Sequence, residues 1–118
     1  MLKRNVLAQS AITQSGEEVA WHHPGGKFRR LGPETCTDAE LLAILIGAGS
    51  AGRSAMEIAT EILDKFDSFK GLANQPLEKL YRIKSLKEVK VTRIAAAFEV
   101  ARRIVNQVMM EKENAQDS

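Results

Sequence analysis

From Thr37 onward, apolar residues recur at helical spacing along most of this chain, and no stretch alternates apolar and polar as a half-buried strand would. Thr37-Asp38-Ala39-Glu40 has the form of a capping box, in which a hydroxyl takes the amide three residues on and the Glu carboxylate reaches back. It opens AELLAILIG, where Leu41, Leu42, Ile44, Leu45 and Ile46 are apolar almost all round, so this helix is expected to be central and buried. Ser54-Ala55-Met56-Glu57 repeats the signature and starts SAMEIATEILDKF, with Met56, Ile58 or Ala59, Ile62, Leu63 and Phe66 on the core side. Asp67-Ser68 breaks the pattern, and Phe69 to Ala73 is a short amphipathic piece. Pro76 suits the first turn of a helix carrying Leu77, Leu80, Tyr81 and Ile83. Ser85-Leu86-Lys87-Glu88 is a third capping box, followed by an apolar face of Val89, Ile94, Ala97, Phe98, Ala101, Ile104 and Val105. The expected fold is all-α, with about five helices.

A faint internal repeat supports a paired arrangement: residues 39–49 align without gaps on residues 77–87, each a short helix with Leu at its fourth position running into a turn. Two such units make a tandem helix-hairpin-helix. Residues 1–26 show no sustained period and hold the break His23-Pro24-Gly25-Gly26, so they are expected to be a poorly ordered arm, with Trp21 the one residue that calls for a cover. Residues 27–110 form the helical domain, and residues 111–118 a disordered tail.

Composition narrows the function. The net charge of +2 over 118 residues does not by itself identify a nucleic-acid binder. Its distribution is more telling: between Arg82 and Val105 lie seven Lys or Arg (Arg82, Lys84, Lys87, Lys90, Arg93, Arg102, Arg103) against Glu88 and Glu99. A single cysteine, Cys36, excludes an internal disulfide framework and fits a reducing compartment. No apolar run approaches the roughly 20 residues that span a bilayer, and no signal-type apolar stretch opens the chain, so a cytoplasmic location is expected.

The turns are where chemistry is expected. Glycines let a backbone approach a phosphate closely, and the exposed amides of the next helix point at the anion with the helix dipole behind them. In the first turn Gly47, Ala48 and Gly49 have this form, with Ser50, Gly52 and Arg53 adding donors. In the second, Lys84, Ser85 and Lys87, with Lys90 and Arg93 beyond, trade glycine for charge. Such contacts position a nucleic-acid backbone without reading its sequence. A metal site built on His22, His23 and Cys36 lacks the spacing and the fourth ligand that zinc wants. Asp38 and Glu40 are explained by helix-start acidity, and no Ser/His or Cys/His pairing stands at a useful spacing. Neither catalysis nor a cofactor is expected.

Arg30-Leu-Gly-Pro-Glu, Asp38-Ala-Glu-Leu-Leu-Ala-Ile-Leu-Ile, the Gly-Ser-x-Gly-Arg-Ser turn at residues 49–54, and the run from Leu80-Tyr-Arg-Ile-Lys to Ala101-Arg-Arg resemble the N-terminal domain of RadC-family proteins. The resemblance covers roughly residues 28–105. It implies a small helical domain similar to RuvA domain 2 and to SAM-like folds, associated with DNA repair and binding DNA through backbone phosphates. It also implies a C-terminal JAB/MPN-type metalloprotein domain, of which this chain carries no H-x-H signature, so the chain is expected to be the N-terminal part alone. The second turn departs from the family's glycine pattern, reading Ile83-Lys84-Ser85-Leu86-Lys87. The alternative reading is a helical interaction or regulatory domain that positions the metalloprotein domain and binds no DNA.

Overall fold

Pro24 to Leu31 forms a helix, α1, in a computed structural model that describes residues 10–12, 18–20, 23–50 and 52–117. Trp21 and His22 lie outside the described residues. A Pro-Gly-Gly start reads as a break in sequence, yet Pro24 occupies the first turn, where its missing N–H costs nothing. The main-chain carbonyl of His23 accepts from the amides of Gly26 and Lys27, closing that turn.

Five further helices follow α1 among the described residues: α2 (Asp38–Ile46), α3 (Ala55–Phe66), α4 (Phe69–Ala73), α5 (Leu77–Leu80) and α6 (Glu88–Asp117). A 3-10 turn, Pro33–Thr35, lies between α1 and α2. The fold is all-α, one helix richer than the apolar pattern suggests. Its exception is an antiparallel strand pair, β1 (Ser10–Ile12) and β2 (Glu18–Ala20), in which Ala11 pairs with Val19. Strands of three residues are too short to show alternation.

The chain divides into two compact units, Met1–Leu72 and Ala73–Ser118. In the first, α1 packs on α2 and α2 on α3. Leu42, Ala43 and Ile46 of α2, Ile58, Ala59 and Ile62 of α3, and Leu72 of α4 are buried. Leu45 and Ile44, expected at the centre, are only half-buried, because the inward phase of α2 runs through Leu42 and Ile46. Both predicted capping boxes are present: the Thr37 hydroxyl accepts from the Glu40 amide and the Ser54 hydroxyl from the Glu57 amide, with each Glu returning the bond.

One charged pair sits inside this unit. The Lys27 ammonium donates to both Glu40 carboxylate oxygens, at 2.9 and 3.1 Å, with Lys27 fully buried. Glu40 Oε1 also accepts from the Thr37 amide at 2.9 Å. One carboxylate thus caps α2 and fastens α1 to it.

In the second unit Leu80, Leu86, Val91 and Ile94 are buried and Phe98 half-buried. α5 has only four residues, with Pro76 at its N-cap and no side-chain cap, and the chain then turns through Arg82 and Ile83 by bonds to carbonyls three residues back. α6 begins at Glu88 rather than just after Ser85, since the Lys87 carbonyl accepts from the Val91 amide and takes the N-cap place. It runs 30 residues to Asp117, through the segment expected to be a tail, and every side chain of residues 100–116 is exposed. Among the described residues no helix is long and apolar enough to cross a membrane.

Candidate nucleic-acid interface

The first turn joins α2 to α3. Gly47 ends α2 at φ 77°, a left-handed conformation that glycine adopts without steric cost, and its amide still donates to the Ala43 carbonyl. Ser50 and Arg53 then exchange both backbone bonds, at 3.0 and 2.9 Å, folding the chain back on itself. A Cβ added at Gly49 would stand 1.9 Å from the Arg53 carbonyl oxygen, so glycine is required there by the loop's own closure. Gly47, Ala48, Gly49 and Gly52 are exposed, and Ser50 and Arg53 half-buried.

Five amides of this turn and of the helix start that follows it are already committed. Those of Gly47, Ser50 and Arg53 donate within the loop, and those of Ser54 and Glu57 within the capping box. The orphan donors of an α-helix start are thereby reduced to Ala55 and Met56. Charge is also against an anion here. The Arg53 guanidinium is ion-paired with Glu61, and Glu57, Glu61 and Asp64 line one exposed side of α3 with Met56 and Thr60. Sequence reading placed Arg53 among the donors and missed Glu61, which lies eight residues on, beyond any local spacing rule. A groove of about 530 Å³ beside the turn, between His23, Ile44, Gly49 and Met56, is lined largely by small and apolar side chains.

The second turn is chemically different. Arg82, Lys84, Lys87 and Arg93 are exposed, while Ser85 and Lys90 are half-buried. Among the described residues no carboxylate makes an ion pair with Arg82, Lys84 or Lys87. Arg82, Lys84 and Lys87 precede the start of the longest helix and Arg93 follows it; the Glu88 and Val89 amides have no intrahelical acceptor and carry the positive end of the helix dipole, while those of Lys90 and Val91 donate to the Lys87 carbonyl. Leu86, buried, and the Tyr81 hydroxyl, hydrogen-bonded to the Thr92 hydroxyl, tie the turn to α6. Glu88 is the single acidic residue in this stretch.

Further along α6, Glu99 accepts from Arg102 at 2.6 and 2.9 Å and from Arg103 at 3.0 Å. The hydrogen bonds from Arg102 and then Arg103 hold its carboxyl down from the ordinary 4.5 to about 2. Two of the seven cations counted between Arg82 and Val105 are therefore spent on a neighbouring carboxylate and are not part of the basic turn. No group of three His, Cys, Asp or Glu able to hold a metal occurs among the described residues.

A small helical domain with one glycine-rich and one lysine-rich turn is the class these elements define. A family model described as UPF0758 N-terminal matches residues 20–92. The UPF0758 protein of Porphyromonas gingivalis is 41% identical over 97 residues, covering 80% of this chain and 43% of that protein. That of Carboxydothermus hydrogenoformans is 39% identical over 80 residues, 68% of this chain and 35% of the relative. The chain belongs to the UPF0758 family and matches the N-terminal domain of these RadC-like proteins. It spans about two-fifths of the length of the curated relatives it matches. No solved structure matches it.

Proposed function

We propose that this domain is a helix-hairpin-helix module that binds the phosphate backbone of DNA without reading sequence, in the repair-associated role that the RadC resemblance implies. The contact surface in this reading is the second turn with the first turn of α6. The observation that carries it is the exposure of Arg82, Lys84, Lys87 and Arg93 about the start of a 30-residue helix. Cationic side chains and helix-start amides together make a phosphate seat, and neither kind of contact carries base information. The first turn is a minor contributor, since Glu57, Glu61 and Asp64 stand beside it and Arg53 is ion-paired with Glu61.

The alternative, a helical interaction domain that positions a C-terminal JAB-type domain and binds no DNA, is favoured by the exposed apolar side chains of α6. Fluorescence anisotropy on labelled duplex, branched and single-stranded DNA over a salt series separates the two. A phosphate binder loses affinity with a log–log slope of about 0.9 per contact on duplex DNA. Lys87→Glu with Lys90→Glu should weaken binding equally for every sequence and flatten that slope by about two. No binding at low salt, or a double variant indistinguishable from the parent, gives the alternative the lead.

A further inference from the structure

We propose that the C-terminal half of α6 is a self-association surface, on which a second copy of the same helix packs antiparallel. Ala101, Ile104, Val105, Val108 and Met109 fall at i, i+3, i+4, i+7 and i+8, the spacing of an apolar stripe made to face a partner. The stripe continues the face of Val91, Ile94 and Phe98, which is turned inward in the first half of the helix. Past Phe98 nothing in the described chain covers it: Ile104, Val105 and Met109 are 56%, 59% and 54% exposed.

Charge and size name the occupant. At 100° per residue Arg102 and Glu113, eleven residues apart, lie within about 20° of each other around the helix, on the same edge of the stripe. An antiparallel pair brings like edges together with the direction reversed, so the Arg102 guanidinium of each copy, whose Nε and Nη2 are held by its own Glu99, presents its Nη1 to Glu113 of the other. A parallel pair sets the Glu113 edge against the opposite edge, where Glu111 stands, and like charges face each other. The antiparallel register also matches Val105 with Val108 and Ile104 with Met109, so the stripe is its own complement. Covering it on two copies removes on the order of 1,000 Å² in total, which suffices for a specific but concentration-dependent dimer.

Sedimentation equilibrium of the 118-residue chain should show the mass rise from 13.0 kDa towards twice that value as concentration increases. Val105→Glu with Val108→Glu should stay monomeric over the same range and keep the parent's helix content at dilution. Arg102→Glu or Glu113→Arg alone should weaken the dimer about tenfold, and the two together should restore it. In a Cys36→Ser background, mixing Ala101→Cys and Lys112→Cys chains should give the mixed disulfide in preference to either homodimer. A monomer at every concentration overturns the proposal and assigns the face to a different protein or chain segment. A dimer that survives the two glutamates, or that cross-links each cysteine to its own kind, overturns the surface or the orientation respectively.

Discussion

Lys27 opens a basic segment with Arg29 and Arg30, and a lysine is ordinarily solvent-exposed unless it is paired. Its ammonium is instead sealed against Glu40. Burying two charges is costly, and the pair is held because Glu40 is already fixed as the N3 member of a capping box. Removing one partner strands the other. Lys27→Met should therefore lower unfolding stability by about 3–5 kcal/mol, whereas Lys27→Met with Glu40→Gln, which keeps an acceptor for the Thr37 amide, should recover about half of that loss or more. Urea denaturation of the parent, Lys27→Met, Glu40→Gln and the double variant measures the difference, and additive losses would show that the pair is not coupled. Glu40's capping role was legible from Thr37 three residues before it. Its second partner was not, because nothing local links positions 27 and 40. Gly49 is a similar case: its identity invited a ligand, and the Arg53 carbonyl against its backbone explains it without one.

At the scale of elements, α2 and α3 were readable to within a residue because each begins with a capping box and continues as an apolar run, nearly all round in α2 and along one face in α3. α1 was not, since Pro24, Gly25 and Gly26 have poor helix propensity and the helix is held by the buried bond from Lys27. The third capping box misplaced the start of α6: Ser85 and Glu88 have the right spacing, but the turn ahead of them continues to Lys87. Once begun, α6 runs far, and Glu99 with Arg102 and Arg103 braces its middle by pairs three and four residues apart. Because the Glu99 carboxyl titrates near 2 when folded and near 4.5 when free, its pairing contributes fully above about 4.5 and is lost as pH falls through 2. A carboxyl-detected NMR titration should place its midpoint near 2, and Arg102→Ala with Arg103→Ala should return it towards 4.5. A midpoint near 4.5 in the parent would mean that the guanidinium pairs are not populated in solution.

For the whole molecule, charge arrangement matters more than charge total. A net +2 is compatible with almost any partner, whereas the cluster about the second turn is local. This leads to a control that composition alone would not suggest. Lys70→Glu on α4 alters net charge as much as Lys87→Glu does, and Lys70 is equally exposed. Only the Lys87 variant should lower DNA affinity several-fold at moderate salt, while Lys70→Glu should stay within about twofold of the parent. Equal losses would make the binding a property of bulk charge. Family membership and the all-α fold were both legible, because ordered short motifs and helical phase survive in one sequence. The choice between the two turns was not, since it depends on the acidic residues along α3 and on the pairing of Arg53 with Glu61, which only folding sets beside the first turn.

The buried bond between α1 and α2 also constrains how this domain can change over generations. Losing either Lys27 or Glu40 alone leaves a stranded charge, so a lineage can abandon the arrangement only by altering two positions, thirteen residues apart, at nearly the same time. An intermediate with one change survives only where stability is in excess. The two helices are thus inherited as a unit, and a homologue that has replaced one of these residues should carry an apolar or neutral replacement at the other.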